Sequence, residues 1–217
     1  MVEALVLDFG GVVTKTLFET HALTEQALGL AAGTLTWRGP FDPESDPEWR
    51  AMQAGEMTER DYWMLRTRET GQLIGEDWTM MSDLLQAARS GAVDDFLRPE
   101  ALRAIDRWAD RGRPVAILSN ELDLFYGPRF RASLPFLDRI TCIVDGTYTE
   151  ILKPDPRAYE LVCSALGLPP AACLMVDDQM RNIAGATKAN MQTVWFDVTD
   201  PTAGFDRVIS LLEGPHP

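Results

Sequence analysis

Five short, continuously apolar runs recur along this chain, with segments of helix length among the later ones. The runs are 4–8 (ALVLD), 114–119 (PVAILS), 140–144 (ITCIV), 173–176 (CLMV) and 193–196 (TVWF). None alternates polar with apolar, so each reads as a strand covered on both faces. The segment 99–112 has Pro99 at a helix start and Gly112 at its stop. The segment 155–167 has Asp155 as N-cap, Pro156 at the first helical position and Gly167 as C-cap. Segments 181–190 and 203–214 complete the set. Strand–helix alternation of this kind predicts an α/β fold with a doubly wound parallel sheet.

The first run is not followed promptly by a second. Residues 15–95 intervene and read as helix and loop only, so the core is expected from 1–14 and 96–217, with 15–95 as an inserted helical cap or lid over the sheet's carboxyl edge. Within it, 58–71 opens on Thr58, with Asp61 three residues on, and closes on Gly71. Segment 37–49 is a Pro-, Gly- and Asp-rich connector, and 90–99 reads as the return linker. The insertion holds Trp37, Trp49, Trp63 and Trp78 with Met52, Met57, Met64, Met80 and Met81. These residues suit either a small helical core or an apolar roof over a substrate pocket.

The 217 residues are 46% hydrophobic and carry a net charge of −13. Such a surface repels nucleic acid and anionic membranes, so neither is expected as a partner. Residues 15–95 hold seven basic and fifteen acidic residues, which disfavours large polyanionic substrates. Cys142, Cys163 and Cys173 are odd in number and widely spaced, and read as buried thiols of a reducing compartment. The N-terminus has no basic region before its short apolar run, and no stretch approaches ~18 apolar residues. A cytoplasmic monomer or homodimer is expected. His21 and His216 are the only histidines, which argues against a Ser-His-Asp triad or a His-rich zinc site.

Sites in open α/β sheets form beyond the carboxyl ends of the strands. The first strand ends in Asp8, the second in Ser119-Asn120 and the fourth in Asp177-Asp178, with Asn182 a helical turn later. After the third comes Lys153-Pro154-Asp155-Pro156. Each is ordinary alone: a lysine before proline is usually on the surface, and an Asp-Asp pair usually caps a helix. Together they place three carboxylates, a hydroxyl and an ammonium at one edge of one sheet, and charged groups seldom gather without pairing or metal.

The order Asp8, Ser119, Lys153, Asp177-Asp178, in the wording LDFGGVV, ILSN, LKPDP and MVDDQMRN, resembles the four motifs of the haloacid dehalogenase superfamily across essentially the whole chain. DFGGV and KPDP are most similar to the phosphatase-type N-terminal domains of epoxide hydrolases. The resemblance implies a Mg²⁺-dependent hydrolase acting on a small phosphorylated molecule. Asp8 would be the nucleophile and form an aspartyl-phosphate. Asp8, Asp178 and the Gly10 carbonyl would ligate Mg²⁺, with Asp177 a further ligand or just behind them. Ser119 and the Asn120 N–H would bind phosphate oxygens, the bare backbone at Gly11 would let the chain approach them, and Lys153 would neutralise charge. Asn182 would orient the acidic loop.

Phosphatases of the superfamily usually carry a second aspartate two positions after the nucleophile, as general acid and base. Here that position is Gly10. Glu121 is a candidate substitute base, although acids are favoured at helix starts in any case. Three readings follow. One is a phosphatase that favours good leaving groups. Another is a haloacid-dehalogenase-type hydrolase, although those enzymes use a tyrosine at the Gly10 position. The third is a non-catalytic member that binds a phosphorylated ligand or a protein.

Overall fold

A computed structural model describes residues 2–213. His216 and Gly214 lie outside the described residues. β1 (Ala4–Leu7) leads through a tight turn to α1 (His21–Leu28), α2 (Pro47–Gln53), α3 (Glu59–Leu73) and α4 (Met81–Ala88). α5 (Pro99–Ala109) then returns the chain to β2 (Val115–Ser119), α6 (Leu122–Ala132), β3 (Cys142–Asp145), α7 (Gly146–Thr149) and α8 (Pro156–Leu166). β4 (Cys173–Asp177), α9 (Met180–Lys188), β5 (Gln192–Trp195) and α10 (Pro201–Glu213) follow.

The strands form one parallel sheet in the order β3-β2-β1-β4-β5. The order reverses at β1, which pairs Leu7 with Ile117 on one side and with Val176 on the other. Every residue of β1, β2 and β4 is buried, which is why these runs are continuously apolar. Each leucine or valine so buried contributes ~1.5–3 kcal/mol relative to exposure. One face packs Ala4, Val6, Ala116, Leu118 and Met175 against Ala158, Tyr159 and Val162 of α8. Cys163 and Cys173 are buried free thiols in the same cluster, and Cys142 is half-buried.

The chain divides into two units. One holds residues up to 15, 97–123 and from 130 onward; the other holds 16–96 and 124–129. An isolated antiparallel bridge, Thr14 to Leu97, joins the two strands of chain where the insertion leaves and returns. Segment 124–129 lies within α6, which is broken at Gly127 (φ +80°) ahead of Pro128.

The second unit has its own core. Phe18 lies at its centre, with Trp37, Trp49 and Trp63 ring centroids 5.3–5.4 Å away. Such aromatic pairs add ~0.5–1.5 kcal/mol each beyond area burial. Trp37 and Met52 are buried and Trp49, Trp63, Trp78 and Met57 pack against them, so these residues form the core of the unit. Met80 is exposed. Asp46 ties the connector to the helices. It accepts hydrogen bonds from Gly39 N (3.0 Å), Trp49 N (3.0 Å), Tyr62 Oη (2.8 Å) and Arg66 Nη2 (2.6 Å). Thr58 caps α3 by accepting from Asp61 N at 3.1 Å.

Candidate active site

Asp8 stands one residue beyond β1, its N–H bonded to Val176 O at 2.9 Å. The chain then turns back within five residues, closed by Thr14 N on Phe9 O at 3.0 Å. Gly11 has φ +83°, which residues with a side chain rarely adopt, and a Cβ there would sit 3.0 Å from Asp178 Oδ2, so a substitution would be strained. Gly10 has φ −72° and ψ 124°, a conformation open to any residue. The sharp bend therefore rests on Gly11 and not on Gly10. Behind the turn, the buried Arg98 donates from Nε to Gly11 O at 2.9 Å.

β2 delivers Ser119, buried and in register with Asp145 of β3. The Asn120 side chain spans to Lys153, accepting from its N–H at 2.6 Å and donating to its carbonyl at 3.2 Å. The Lys153 ammonium, only 1% exposed, lies 2.7 Å from Asp8 Oδ1 and 2.7 Å from Asp177 Oδ2. The Asp177 oxygens also accept from Asn182 Nδ2 (3.0 and 3.1 Å) and Gln179 N (2.8 Å). Tyr159 Oη donates to Asn182 O at 2.7 Å. Asp178 is half-buried, and its main-chain oxygen accepts from Trp195 Nε1 at 2.8 Å.

Asp8, Asp177 and Asp178 offer carboxylate oxygens that all lie within 4.8 Å of one another. Glu121, at the N-terminal boundary of α6, is outside that group. Burial raises the Asp8 carboxyl to about 7; Lys153 opposes the rise and Asp177 adds to it. Burial alone would lower the Lys153 ammonium, but Asp177 and Asp8 hold it well above its ordinary value. Three carboxylates and one ammonium leave this buried edge short of positive charge. The donor set is all oxygen and carboxylate-rich, so the residues fit a hard divalent cation such as Mg²⁺.

Two residues that position this site were not evident from the sequence. Asp145 accepts from Leu122 N (3.0 Å), Asp123 N (2.9 Å) and Thr147 N (2.9 Å), which fixes the chain just after Ser119-Asn120. At Gly146, a Cβ would lie 2.2 Å from Asn120 O. Asp145 caps α7 locally through Thr147 N, but its bonds to α6 and the close approach at Gly146 depend on β3 lying beside β2.

Among the described residues, no helix is long and apolar enough to cross a membrane. Residues 2–190 match the family model described as haloacid dehalogenase-like hydrolase. A phosphatase of Mycobacterium tuberculosis is 29% identical over 124 residues, 55% of this chain and 57% of that protein. The (S)-2-haloacid dehalogenase 4A of Burkholderia cepacia is 34% identical over 98 residues, 44% of this chain and 41% of that protein. The chain thus spans about half the length of these curated relatives. In fold it is similar to the HAD hydrolase YfnB of Bacillus subtilis, solved with magnesium bound, at a TM-score of 0.65 and 18% identity, covering 90% of this chain and 86% of that one. With its match running from the first strand to the end of α9, this chain belongs to the haloacid dehalogenase-like hydrolases.

Proposed function

We propose that this hydrolase is a Mg²⁺-dependent phosphatase of small phosphomonoesters that works through an aspartyl-phosphate on Asp8, and that residues 15–95 serve as its helical cap. The observation that carries the reading is the Asp8, Asp177 and Asp178 triad, all oxygen donors within 4.8 Å, with the Lys153 ammonium between two of them. When bound, Mg²⁺ would offset the charge of the triad and of the phosphoryl oxygens. Asp8 and Asp178 would hold it, with the Gly10 carbonyl as a third oxygen. Asp177 already receives four hydrogen bonds, which favours a supporting place behind the ligands.

An Asp8 oxygen attacks phosphorus, and the ester P–O bond breaks with its electron pair going to the leaving oxygen. Water then attacks the phosphoryl group, the bond to Asp8 breaks, and inorganic phosphate leaves. Lys153 holds the Asp8 carboxylate in place and offsets charge as it moves to the phosphoryl oxygens. Ser119 and the Asn120 N–H bind those oxygens, the Gly11 main chain lies beside them, and Asn182 orients Asp177. With Gly10 where an acid is usual, the leaving oxygen receives no proton from that position. Acyl, aryl and sugar 1-phosphates are therefore the favoured esters, and Glu121 is the candidate base for water. The similarity of DFGGV and KPDP to the phosphatase-type domains of epoxide hydrolases supports the same reading.

The test is phosphate release from p-nitrophenyl phosphate, acetyl phosphate, sugar 1-phosphates and sugar 6-phosphates, with Mg²⁺ or EDTA, by wild type and Asp8→Asn. Turnover should require both metal and Asp8 and be strongest on the good leaving groups. Substantial turnover by Asp8→Asn would sink the covalent mechanism. The 34% identical dehalogenase relative supports a second reading, carbon–halogen cleavage on the same nucleophile. Halide release from a 2-haloacid, with no phosphate release from any ester, would favour it.

A further inference from the structure

The ladder between β4 and β5 ends at the pair Asp177 and Trp195, with a last main-chain bond from Phe196 N to Asp177 O at 2.9 Å. The next carbonyl on the β4 side belongs to Asp178 and lies beyond the ladder. A side chain meets it: the Trp195 indole N–H donates to Asp178 O at 2.8 Å. Trp195 is 47% exposed, with its polar edge turned to this carbonyl. Its hydrogen bond holds one side of the peptide that follows the Asp178 Cα, whose N–H side is held by Gln179 N on Asp177 Oδ1 at 2.8 Å. On the other side, Gly11 leaves only 3.0 Å between its Cβ position and Asp178 Oδ2, so the carboxylate lies directly against the turn that follows Asp8.

We infer that Trp195 is a positioning residue for the cation site: its indole N–H extends the β4–β5 ladder by one acceptor and thereby aims the Asp178 carboxylate. The inference rests on the reading that Asp8 and Asp178 hold a divalent cation. The two carboxylates come from different strands, and a ligand pair of that kind keeps its spacing only if each main chain is held. Arg98 and the Thr14 bond hold the turn after Asp8. Trp195 does the same for Asp178. Trp195→Phe keeps the ring and removes the donor. Trp195→His places its Nε2 at the ring position of the indole nitrogen and restores a donor.

Mg²⁺ and Mn²⁺ binding to the metal-free protein, measured by calorimetry and by the change in tryptophan fluorescence between wild type and Trp195→Phe, tests this directly. Loss of one neutral hydrogen bond should weaken binding about fivefold in Trp195→Phe, and Trp195→His should recover most of it. The bond is present without metal, so the metal-free thermal midpoint of Trp195→Phe should fall by only a few degrees and Trp195→His should restore it. Equal cation affinity in wild type and Trp195→Phe overturns the inference and leaves the cation site standing. If wild type binds neither ion saturably, or Asp178→Asn binds as wild type does, the cation reading fails and takes this inference with it.

Discussion

At the residue scale, the position that most shapes the chemistry is Gly10. At its neighbour Gly11 a side chain would be strained by φ +83° and by the Asp178 carboxylate, but Gly10 sits at φ −72° and ψ 124°, where an L-residue is unstrained. The missing general acid is therefore not forbidden by the backbone of the turn. Gly10→Asp should fold, and under the phosphatase reading it should raise kcat on poor leaving groups such as sugar 6-phosphates. General acid–base catalysis contributes ~10²–10⁴, so a gain of about tenfold or more is expected, with little change on acetyl phosphate. Steady-state kinetics of wild type and Gly10→Asp on the two ester classes decide it. An equal gain on both classes would point to altered binding rather than to proton transfer. Gly10 also shows what composition hides: the sequence marks both glycines alike, and only the dihedral angles separate the one favoured by geometry from the one that is free to change.

At the scale of elements, the site depends on how loops are tied across neighbouring strands. Asp145, at the end of β3, satisfies three N–H groups, two of them at the start of α6. Asp145→Ala leaves those donors without their acceptor and should cost ~3 kcal/mol, summing a lost cap with exposed N–H groups. Urea denaturation measures that loss. Asp145→Asn keeps an acceptor oxygen and should recover part of it. The same change frees the chain after Ser119, so KM for a phosphate ester should rise more than kcat falls.

How much of this could be read in the sequence follows from the same contrast. β1, β2 and β4 were legible as covered strands because they are buried throughout; β3 and β5 are strands too, but as the edges of the sheet they are only partly buried, not covered on both faces as their apolar runs implied. The caps at Thr58 and Asp155 were legible because each bonds a residue two or three positions away. α6 was not, since Gly127 and Pro128 interrupt its periodicity. The bonds of Asp145 to α6, the Gly146 contact and the Trp195 bond were not, because those partners lie far off in sequence; only the Asp145 bond to Thr147 N is local. The strand-end residues stood out only as an ordered set; the pairing of Lys153 with both Asp8 and Asp177 is a fact of three dimensions.

At the scale of the whole molecule, two buried groups make stability depend on pH in opposite senses. His21 is buried among Phe18 and Trp37, with Arg38 Nη1 3.3 Å from its Nδ1. Arginine only donates, so Nδ1 accepts and the ring is neutral. Burial first, and then the Arg38 charge, lowers the imidazole from 6.5 to about 4. Above pH 6.5 neither the folded nor the unfolded chain protonates His21, and it has no effect. As pH falls from 6.5 toward 4, the unfolded chain takes up a proton that the folded chain refuses, and stability is lost, by ~3 kcal/mol at most. Asp8 acts the other way. Its carboxyl is raised from 3.8 to about 7 by burial, so without metal the folded chain binds the proton more tightly and gains stability as pH falls through that window. A pH profile of wild type in EDTA therefore mixes a rise and a fall. His21→Phe removes only the fall. The difference in unfolding free energy, wild type minus His21→Phe, should be flat above pH 7 and drop by ~2–3 kcal/mol by pH 4.5, measured by urea denaturation. A difference that stays flat across the whole range would mean that the His21 ring takes its proton as readily in the folded unit as in the unfolded chain.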